Sequence, residues 1–352
     1  MPAHPYLKRI MEAHESFTRE DARALMQQIL ASEFSDIQLA ALLGALAARG
    51  ETAVEIAGFV DVMRSAVTPL PLDPDERYQL TDTCGTGGDL SGTFNISTGA
   101  ALVAAAAGAT VAKHGNRAVT SRCGSADVLE ALGIPVGLAP DEAATALRTH
   151  RFAFLHAPSL HPAMKTVMPV RRALGVRTVF NILGPLANPA GAAAQVMGVY
   201  TPRLVPLVAE AMSLLGTRHA FVVHGNTGAS AGSPGELDEL SISGPSQIAE
   251  VRTHPGRAPK VTLSTITPEQ FHLTRAPIEA LAGGDATTNA TILRDIFSGQ
   301  YGPPRDVVLL NAAAVLVTAG LAPDITAGIQ LAARTIDEGK VTELLTALAR
   351  TN

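Results

Sequence analysis

The sequence lacks tryptophan altogether and is poor in aromatic and charged residues. Of its 352 residues, 4% are aromatic, 17% are charged and 47% are hydrophobic, and alanine is abundant. An interior built from small side chains is typical of helices packed closely against a sheet. A chain of this length is expected to form one large domain or two unequal ones.

Cysteines and long apolar runs are scarce as well. No run of about 18 apolar residues is present to span a bilayer, and no basic segment followed by an apolar one begins the chain. The two cysteines, Cys84 and Cys123, favour a reducing compartment over a disulfide framework. We therefore expect a soluble cytoplasmic protein without a membrane partner.

Positive charge is not in excess. The formal net charge is −5, whereas proteins that bind nucleic acids by neutralising many phosphates are basic. A local basic groove stays compatible with this balance, but a broad nucleic-acid interface does not. The sequence therefore predicts no nucleic-acid partner.

The first 67 residues carry only helical signals. Three segments begin with a capping box, in which a hydroxyl side chain is followed three positions later by an acceptor. The pairs are Thr18 with Asp21, Ser35 with Gln38, and Thr52 with Glu55. Gly50 marks the end of the second of these helices. The pattern predicts a small helical bundle.

A boundary with three prolines between Thr68 and Pro74 separates this bundle from a different pattern. Beyond it, strands and helices alternate, which predicts an α/β layer with a mostly parallel sheet. The expected strands are 78–83, 110–113, 152–156, 195–200 and 219–224. The expected helices are 97–107, 126–132, 306–319 and 322–337.

Two loops follow predicted strands and lead into helices, where doubly wound sheets bind their ligands. The first, GTGGDLSGTFNIST at 85–98, matches neither the dinucleotide fingerprint nor a Walker loop. Its bare backbone beside Asp89 suits a ligand that carries phosphate together with ribose hydroxyls or a hydrated cation. The second, KHGNRAVTSRCGSAD at 113–127, combines cations and hydroxyls, as a pyrophosphate site requires. Taken singly, the alternatives are an ordinary glycine turn and a solvated basic loop.

Two further groups of charged residues can be interpreted either as ordinary surface charges or as functional residues. Asp238 and Glu239 are either solvent-facing acids or, if a turn lets both side chains converge, ligands of Mg²⁺. Arg171 and Arg172 are either surface charges or, on the ordered segment that ends in NILGPLANP, a source of a carboxylate clamp. The sequence alone leaves both pairs open.

The histidines and Cys123 carry no recognisable catalytic pattern. His114, His156 and His161 lack zinc spacing, so they are expected to pack or to form hydrogen bonds. Cys123 has no evident base partner and is not assigned as a nucleophile. The residues alone therefore assign no catalytic acid, base or nucleophile.

Taken together, these motifs resemble one family over most of the chain. GTGGD, NIST, KHGNRAVTSRCGSADVLEALG, the segment from HPAMK to NILGPLANP and the late LDE resemble the anthranilate phosphoribosyltransferases in content and order. The resemblance implies a helical N-terminal domain plus a larger α/β domain with a mostly parallel sheet, the nucleoside-phosphorylase-like fold. Residues 1–70, completed by about 165–190, would form the helical domain, and 73–352 the α/β domain that binds the phosphoribosyl donor.

The resemblance also implies the reaction and its participants. The phosphoribosyl group of phosphoribosyl pyrophosphate would pass to the amine of anthranilate, releasing pyrophosphate in the presence of Mg²⁺, as a step of tryptophan biosynthesis. A homodimer would form through the helical domain.

The family's site residues carry over by motif. Positions matching donor contacts are Gly85, Gly88, Asp89, Thr93, Asn95, Ile96, Ser97, Thr98, Lys113, His114, Gly115, Asn116, Arg117, Ala118, Val119, Thr120, Ser121 and Ser125. Positions matching anthranilate contacts are Gly85, Asn116 and Arg171. Positions matching magnesium ligands are Ser97, Asp238 and Glu239.

Three departures from the family pattern are visible. Leu90 stands where glycine is frequent after GTGGD, which predicts a stiffer turn. Thr120 replaces a frequent serine and keeps the hydroxyl. The loop over 226–237 is longer than usual, and Glu236-Leu237 replaces a common Gly-Leu, so the path of this loop and the metal affinity are the properties most affected.

Two other functions are compatible with such a fold. A pyrimidine-nucleoside phosphorylase would also use a glycine loop and a lysine-bearing phosphate loop, but NIST, NILGPLANP and LDE argue against it. A non-catalytic relative that binds nucleic acid is opposed by the acidic balance and by the acids at 238–239.

Overall fold

The chain begins with four helices. The computed structural model describes residues 3–118, 122–228, 235–254 and 256–349. The N-terminal helices are α1 (His4–Met11), α2 (Arg19–Leu30), α3 (Asp36–Arg49) and α4 (Ala53–Ser65). All three predicted capping boxes form, and Gly50 ends α3 with a φ of 86°. These local predictions are confirmed because a cap depends on neighbours only three residues away.

The region after the prolines differs from the prediction. A helix, α5 (Pro74–Gln79), occupies the start of the strand that was expected over 78–83. Asp73 caps this helix by accepting a hydrogen bond from the Glu76 amide at 2.8 Å. Pro74 takes the first helical position, where its missing N–H has no partner to lose. Strand β1 (Leu80–Gly85) therefore begins two residues later and extends to the glycine loop.

The α/β part then alternates as predicted, with shifted boundaries. Its elements are α6 (Ile96–Ala106), β2 (Thr110–Gly115), α7 (Ser125–Ala131), α8 (Pro140–His150), β3 (Phe152–His156), α9 (Ala157–Leu160), α10 (Met168–Leu174), α11 (Phe180–Leu186), β4 (Ala194–Gly198), α12 (Leu204–Leu214), β5 (His219–Asn226), β6 (Glu236–Leu237), β7 (Ser246–Arg252), β8 (Lys260–Ile266), α13 (Ala286–Phe297), α14 (Pro303–Thr318), α15 (Ile325–Asp337) and α16 (Lys340–Ala349). Short 3₁₀ helices cover Pro162–Thr166, Pro268–Phe271 and Ile278–Leu281.

The strands of the described residues form one sheet in the order β3-β2-β1-β4-β5-β7-β8, with β6 paired to β5. Strands β3, β2, β1, β4 and β5 are parallel, which confirms the predicted sheet type. The hairpin β7–β8 is antiparallel and was not predicted. Strand β8 is exposed along nearly its whole length, although Val261 and Leu263 alternate with polar residues as in a half-buried strand.

Two large cores cover the two faces of this sheet. Along β3, Phe152 and Phe154 pack into the core that contains α6 and α13–α16. The second large core joins the N-terminal helices to α10–α12 and to the opposite face of β4 and β5. In the described parts of the chain, no helix combines the length and apolar character that crossing a bilayer requires. The carboxyl ends of β1, β2, β4 and β5 thus meet along one edge, between the two layers.

Candidate active site

Glycines at or near the ends of three neighbouring strands make room for the acidic turn. A Cβ added at Gly85, the last residue of β1, would overlap the carboxylate of Asp238. One added at Gly198, which ends β4, would overlap the main chain of Asp238. At Gly225 on β5, a Cβ would overlap the carbonyl oxygen of Glu239. The acidic pair can lie against the edge of the sheet only because these side chains are absent.

Both acids of the turn face the first glycine-rich loop. Asp238 Oδ2 accepts a hydrogen bond from the Gly87 amide at 2.7 Å, and Glu239 Oε1 accepts one from the Ser97 amide at 3.2 Å. The Asp238 amide in turn donates to Asp89 Oδ2 at 3.3 Å. Asp238 and Glu239, predicted to converge only if a turn allowed it, therefore lie in one cluster with the distant Asp89 and the first glycine-rich loop.

The crowded carboxylates favour a cation between them. Burial, reinforced by the charges of Asp89 and Glu239, raises the pKa of Asp238 well above its ordinary value. Burial also raises the pKa of Glu239 to about 7, although Lys113 opposes the shift. Neighbouring negative charges in a low dielectric disfavour ionisation unless a positive charge is brought in. Among the described residues, no three His, Cys, Asp or Glu side chains form a ready-made metal cage.

Lys113 lies next to the N-terminus of α6. Its ammonium donates to the Thr83 carbonyl at 2.7 Å and to Ser97 Oγ at 3.3 Å. Burial lowers the pKa of Lys113, whereas the carboxylate of Asp82 acts in the opposite direction. The cation and the amides of the first turn of α6 together give this end of the helix a positive potential suited to an anion.

The remaining predicted residues of the first loop tie it to its surroundings. Asn95 precedes α6; its side-chain Nδ2 donates to the Cys123 carbonyl at 3.2 Å, and its Oδ1 accepts from Asn289 Nδ2 at 2.9 Å. Thr93 forms an isolated antiparallel β-bridge with Ala282. Ile96 and Thr98 are buried. The two candidate phosphate loops are thereby joined through Asn95.

The turn at 87–90 is held in left-handed backbone conformations. Gly87 and Gly88 have φ values of 66° and 77°, and Leu90 has a φ of 59° with its side chain 72% exposed. Only glycine adopts this region without cost. Leu90 therefore introduces backbone strain into this turn.

We expect this strain to be measurable in the stability of Leu90 variants. Replacing leucine by glycine should raise the free energy of unfolding by about 0.5 kcal/mol, because the relieved αL cost exceeds the added unfolded-chain entropy. Leu90→Val should lower it by about 1 kcal/mol or more, since β-branched residues tolerate positive φ least. Urea unfolding would measure both. Leu90→Ala, which keeps the backbone penalty, is the matched control and should resemble the wild type.

The second loop places its predicted residues at the start of α7, which begins at Ser125. The Asn116 carbonyl accepts from the Ala126 amide at 3.2 Å, and Asp127 Oδ2 accepts from the Ala118 amide at 2.9 Å. The Arg117 guanidinium pairs with Glu130 and Asp127 on α7. Gly115 ends β2. Val119, Thr120 and Ser121, also predicted to contact the donor, lie outside the described residues.

The three histidines form hydrogen bonds, two of them with each other and the third with a serine. His114 Nε2 and His161 Nε2 are 3.1 Å apart, and His156 Nδ1 is 2.9 Å from Ser159 Oγ. Burial lowers the pKa of His114 to about 3 and that of His161 to about 4. Both rings are therefore neutral at pH 7, and one donates to the other.

Arg171 lies on α10 in a half-buried setting without an acidic partner in the described part of the chain. Its guanidinium carbon is 5.5 Å from the centre of the Phe180 ring, and Nη1 is 3.6 Å from Met168 Sδ. Burial lowers its pKa. No described hydrogen bond or ion pair joins Arg171 to either loop. A desolvated guanidinium of this kind is suited to an incoming carboxylate.

Sequence reasoning missed two of the glycines beneath the acidic turn and one arginine. Gly198 and Gly225 follow the buried segments QVM and FVVH, and a glycine at the end of a buried strand was the available signal. Arg177 donates from Nη2 to the Gly88 carbonyl oxygen. Its partner is 89 residues away, and no local pattern marks such a contact.

The glycine that ends β4 should be sensitive to substitution. Gly198→Ala introduces a Cβ into the main chain of Asp238, so the acidic turn must move. We expect turnover to fall about tenfold or more, because small displacements of positioned groups are costly. Gly137→Ala, at a site with no atom near the new Cβ, should leave turnover unchanged. An active Gly198→Ala variant with normal Mg²⁺ dependence would contradict the tight fit.

Comparisons with known proteins agree with this geometry. Residues 4–67 match the sequence model of the glycosyl transferase family, helical bundle domain, and residues 77–342 match that of the a/b domain. The anthranilate phosphoribosyltransferase of Anaeromyxobacter sp. (strain Fw109-5) is 48% identical over 97% of this chain and 96% of its own length. That of Chloroflexus aurantiacus is 49% identical, covering 95% and 94%.

Solved structures give the same result. The crystal structure of anthranilate phosphoribosyltransferase from Thermus thermophilus has a TM-score of 0.86 and 42% identity, covering 100% of this chain and 99% of that one. The Saccharomyces cerevisiae enzyme in complex with PRPP and Mg has a TM-score of 0.83 and 26% identity, covering 99% and 97%. The chain therefore belongs to the glycosyl transferase family with a helical bundle and an a/b domain, and within it to the anthranilate phosphoribosyltransferases.

Proposed function

We propose that the protein transfers the phosphoribosyl group of phosphoribosyl pyrophosphate to the amine of anthranilate, giving N-(5-phosphoribosyl)anthranilate and pyrophosphate in tryptophan biosynthesis. One observation carries this proposal. The glycine loop, the N-terminus of α6 and the acids Asp238 and Glu239 meet at the carboxyl ends of the parallel strands. Family membership, with the relatives described above, supports the same reaction.

The donor would lie across the two glycine-rich loops. The amides of the first loop, the N-terminus of α6 and Lys113 provide a positive surface for its phosphates. The residues that we propose contact it are Gly85, Gly88, Asp89, Thr93, Asn95, Ile96, Ser97, Thr98, Lys113, His114, Gly115, Asn116, Arg117, Ala118, Val119, Thr120, Ser121 and Ser125. In the described structure the Arg117 side chain is engaged by acids, so this residue would contribute through its main chain.

Mg²⁺ fits the acidic cluster. The hard oxygens of Asp238 and Glu239 and the nearby hydroxyl of Ser97 are of the type this ion prefers. The raised pKa values of the two acids mark a site that gains from a cation. When bound, the ion would neutralise charge on the diphosphate. The yeast relative was crystallised with PRPP and Mg, which supports the same assignment here.

Anthranilate would approach from the side of α10. Arg171, without an acidic partner among the described residues, would bind its carboxylate through the guanidinium fork. Asn116, whose side chain is exposed at the second loop, would orient the amine. Gly85 would lie between the two substrates, and its missing side chain leaves room for the carboxylate of Asp238.

The chemistry needs positioning and charge stabilisation more than proton transfer. The bond from C1 of the ribose to the pyrophosphate oxygen breaks while the neutral aromatic amine forms a bond to C1 and then releases a proton. Positive charge develops on the sugar and negative charge on the leaving group. Preorganised amides and Lys113 meet that negative charge, while Arg171 and Asn116 hold the amine on the opposite face of C1.

The organisation of the protein follows from the same assignment. We propose a helical domain over residues 1–70, completed by about 165–190, and a donor-binding α/β domain over 73–352. The family models at 4–67 and 77–342 support a boundary between residues 67 and 77, and the core shared by the N-terminal helices with α10 and α11 supports the completion by 165–190. We further propose a homodimer formed through the helical domain, in the cytoplasm, without nucleic-acid or membrane partners.

The decisive experiment follows the fluorescence of anthranilate. We expect its consumption only when phosphoribosyl pyrophosphate and Mg²⁺ are both present, with release of one pyrophosphate per anthranilate. Phosphorolysis of thymidine in a parallel assay would instead favour a nucleoside phosphorylase. Salt-dependent binding to single-stranded DNA, with no turnover of anthranilate, would favour a nucleic-acid-binding relative.

A further inference from the structure

Arg177 connects the segment between α10 and α11 to the glycine loop. Its Nη2 donates to the carbonyl oxygen of Gly88, and the missing Cβ of Gly88 would lie 3.6 Å from Nε and Nη2. Among the described residues, the guanidinium forms no ion pair with a carboxylate. Its positive charge is therefore available to the loop that is proposed to receive a diphosphate.

Tyr200 contacts both the arginine and the glycine loop. The Arg177 guanidinium carbon lies 4.0 Å from the centre of the Tyr200 ring, a stacking distance that fixes the planar cation. The Tyr200 amide donates to Thr86 Oγ1 at 3.1 Å, and the Thr86 amide donates to the Gly198 carbonyl at 2.9 Å. Arg177 and Tyr200 thus hold both ends of the segment from Thr86 to Gly88.

This segment is one that needs external support. Gly87 and Gly88 both have positive φ, and glycine loses more conformational freedom on ordering than any other residue. The Gly87 amide is fixed by Asp238, but the Gly88 carbonyl depends on Arg177. A carbonyl bound to a cation is kept from facing an anionic ligand, so the loop is preorganised for one.

The same contact joins the two layers of the protein. Arg177 follows α10, which carries Arg171, and precedes Val179 and Phe180, which pack in the core shared with the N-terminal helices. The donor loop is consequently tied to the layer that carries the proposed anthranilate clamp.

We propose that Arg177 is a positioning residue of the donor site, which fixes the Gly87–Gly88 turn in the conformation that receives the diphosphate. The inference rests on the proposed function. It predicts an effect on donor affinity that exceeds any effect on anthranilate affinity or on folding.

The experiment measures calorimetric binding of phosphoribosyl pyrophosphate with Mg²⁺ to the full chain, together with both KM values. Arg177→Ala should weaken donor binding about tenfold, while anthranilate KM changes by less than about twofold. Arg177→Lys, which keeps the charge but loses the planar stack, should recover only part of the loss. Tyr200→Leu should weaken donor binding and Tyr200→Phe should not. Arg172→Ala, an exposed neighbour, is the matched control and should bind as the wild type does.

Donor affinity of Arg177→Ala equal to that of the wild type would overturn the inference and leave the proposed function intact. An equal loss for both substrates, accompanied by a drop in melting temperature, would also overturn it, because that pattern reports a structural role. A wild-type protein that neither binds the donor nor consumes anthranilate would overturn the proposed function itself.

Discussion

Replacing Asp238 and Glu239 together by alanine is expected to reduce turnover about a thousandfold, since metal and electrostatic stabilisation of a leaving group each supply several kcal/mol. Both side chains contact the loop at 87–97, and both carry raised pKa values that a cation would reverse. The Mg²⁺ concentration that gives half of the maximal rate should also be far higher for the double variant than for the wild type. Steady-state kinetics across a magnesium titration would measure both effects.

Stability separates loss of a metal site from loss of the fold. A group with a raised carboxyl pKa is destabilised when ionised, so the neutral pair Asp238→Asn with Glu239→Gln should not lower the melting temperature of the metal-free protein. The same variant should lose the stabilisation that Mg²⁺ gives the wild type. Glu210→Gln, which changes an exposed acid on α12, is the control and should retain turnover. If Asp238→Ala with Glu239→Ala showed the turnover and the Mg²⁺ dependence of the wild type, the metal site would be excluded.

Local signals predicted the parts of the fold that depend on neighbouring residues. The capping boxes at Thr18, Ser35 and Thr52 formed as expected because each involves one turn of helix. The parallel sheet followed from the alternation of apolar strands with helices. The start of α14 was misjudged by three residues, since Pro303 and Pro304 occupy its first turn, where proline is tolerated rather than disruptive.

Contacts between distant residues were much less accessible from the sequence. The convergence of Asp238 and Glu239 on one site was predicted only as a condition, because a pair of acids on a glycine-rich loop is usually solvated. The roles of Gly198 and Gly225 depend on a turn that packs against three strand ends, and no single segment encodes that packing. The histidine pair at 114 and 161 likewise joins residues 47 apart. These positions become visible only when the topology brings the strand ends together.

Arg171→Ala is expected to raise the KM for anthranilate roughly a hundredfold, because losing one partner of a buried, hydrogen-bonded charge pair costs about 2–5 kcal/mol. The guanidinium is half-buried and has no acidic partner in the described residues, so little besides a ligand gains from its charge. The KM for the donor should change by less than about threefold, since no described contact links Arg171 to the phosphate loops. Steady-state kinetics with each substrate varied in turn would measure the two values.

A substrate without the carboxylate gives the sharpest form of this test. Aniline keeps the amine but offers nothing for the guanidinium to bind, so the wild type should discriminate strongly against it, and Arg171→Ala should lose most of that discrimination. Arg171→Lys should restore only part of it, because an ammonium lacks the planar fork that pairs with both carboxylate oxygens. Arg172→Ala should behave as the wild type does. Equal increases in both KM values, with discrimination against aniline preserved, would contradict the clamp, since a carboxylate-binding arginine must affect the substrate that carries the carboxylate more than the one that does not.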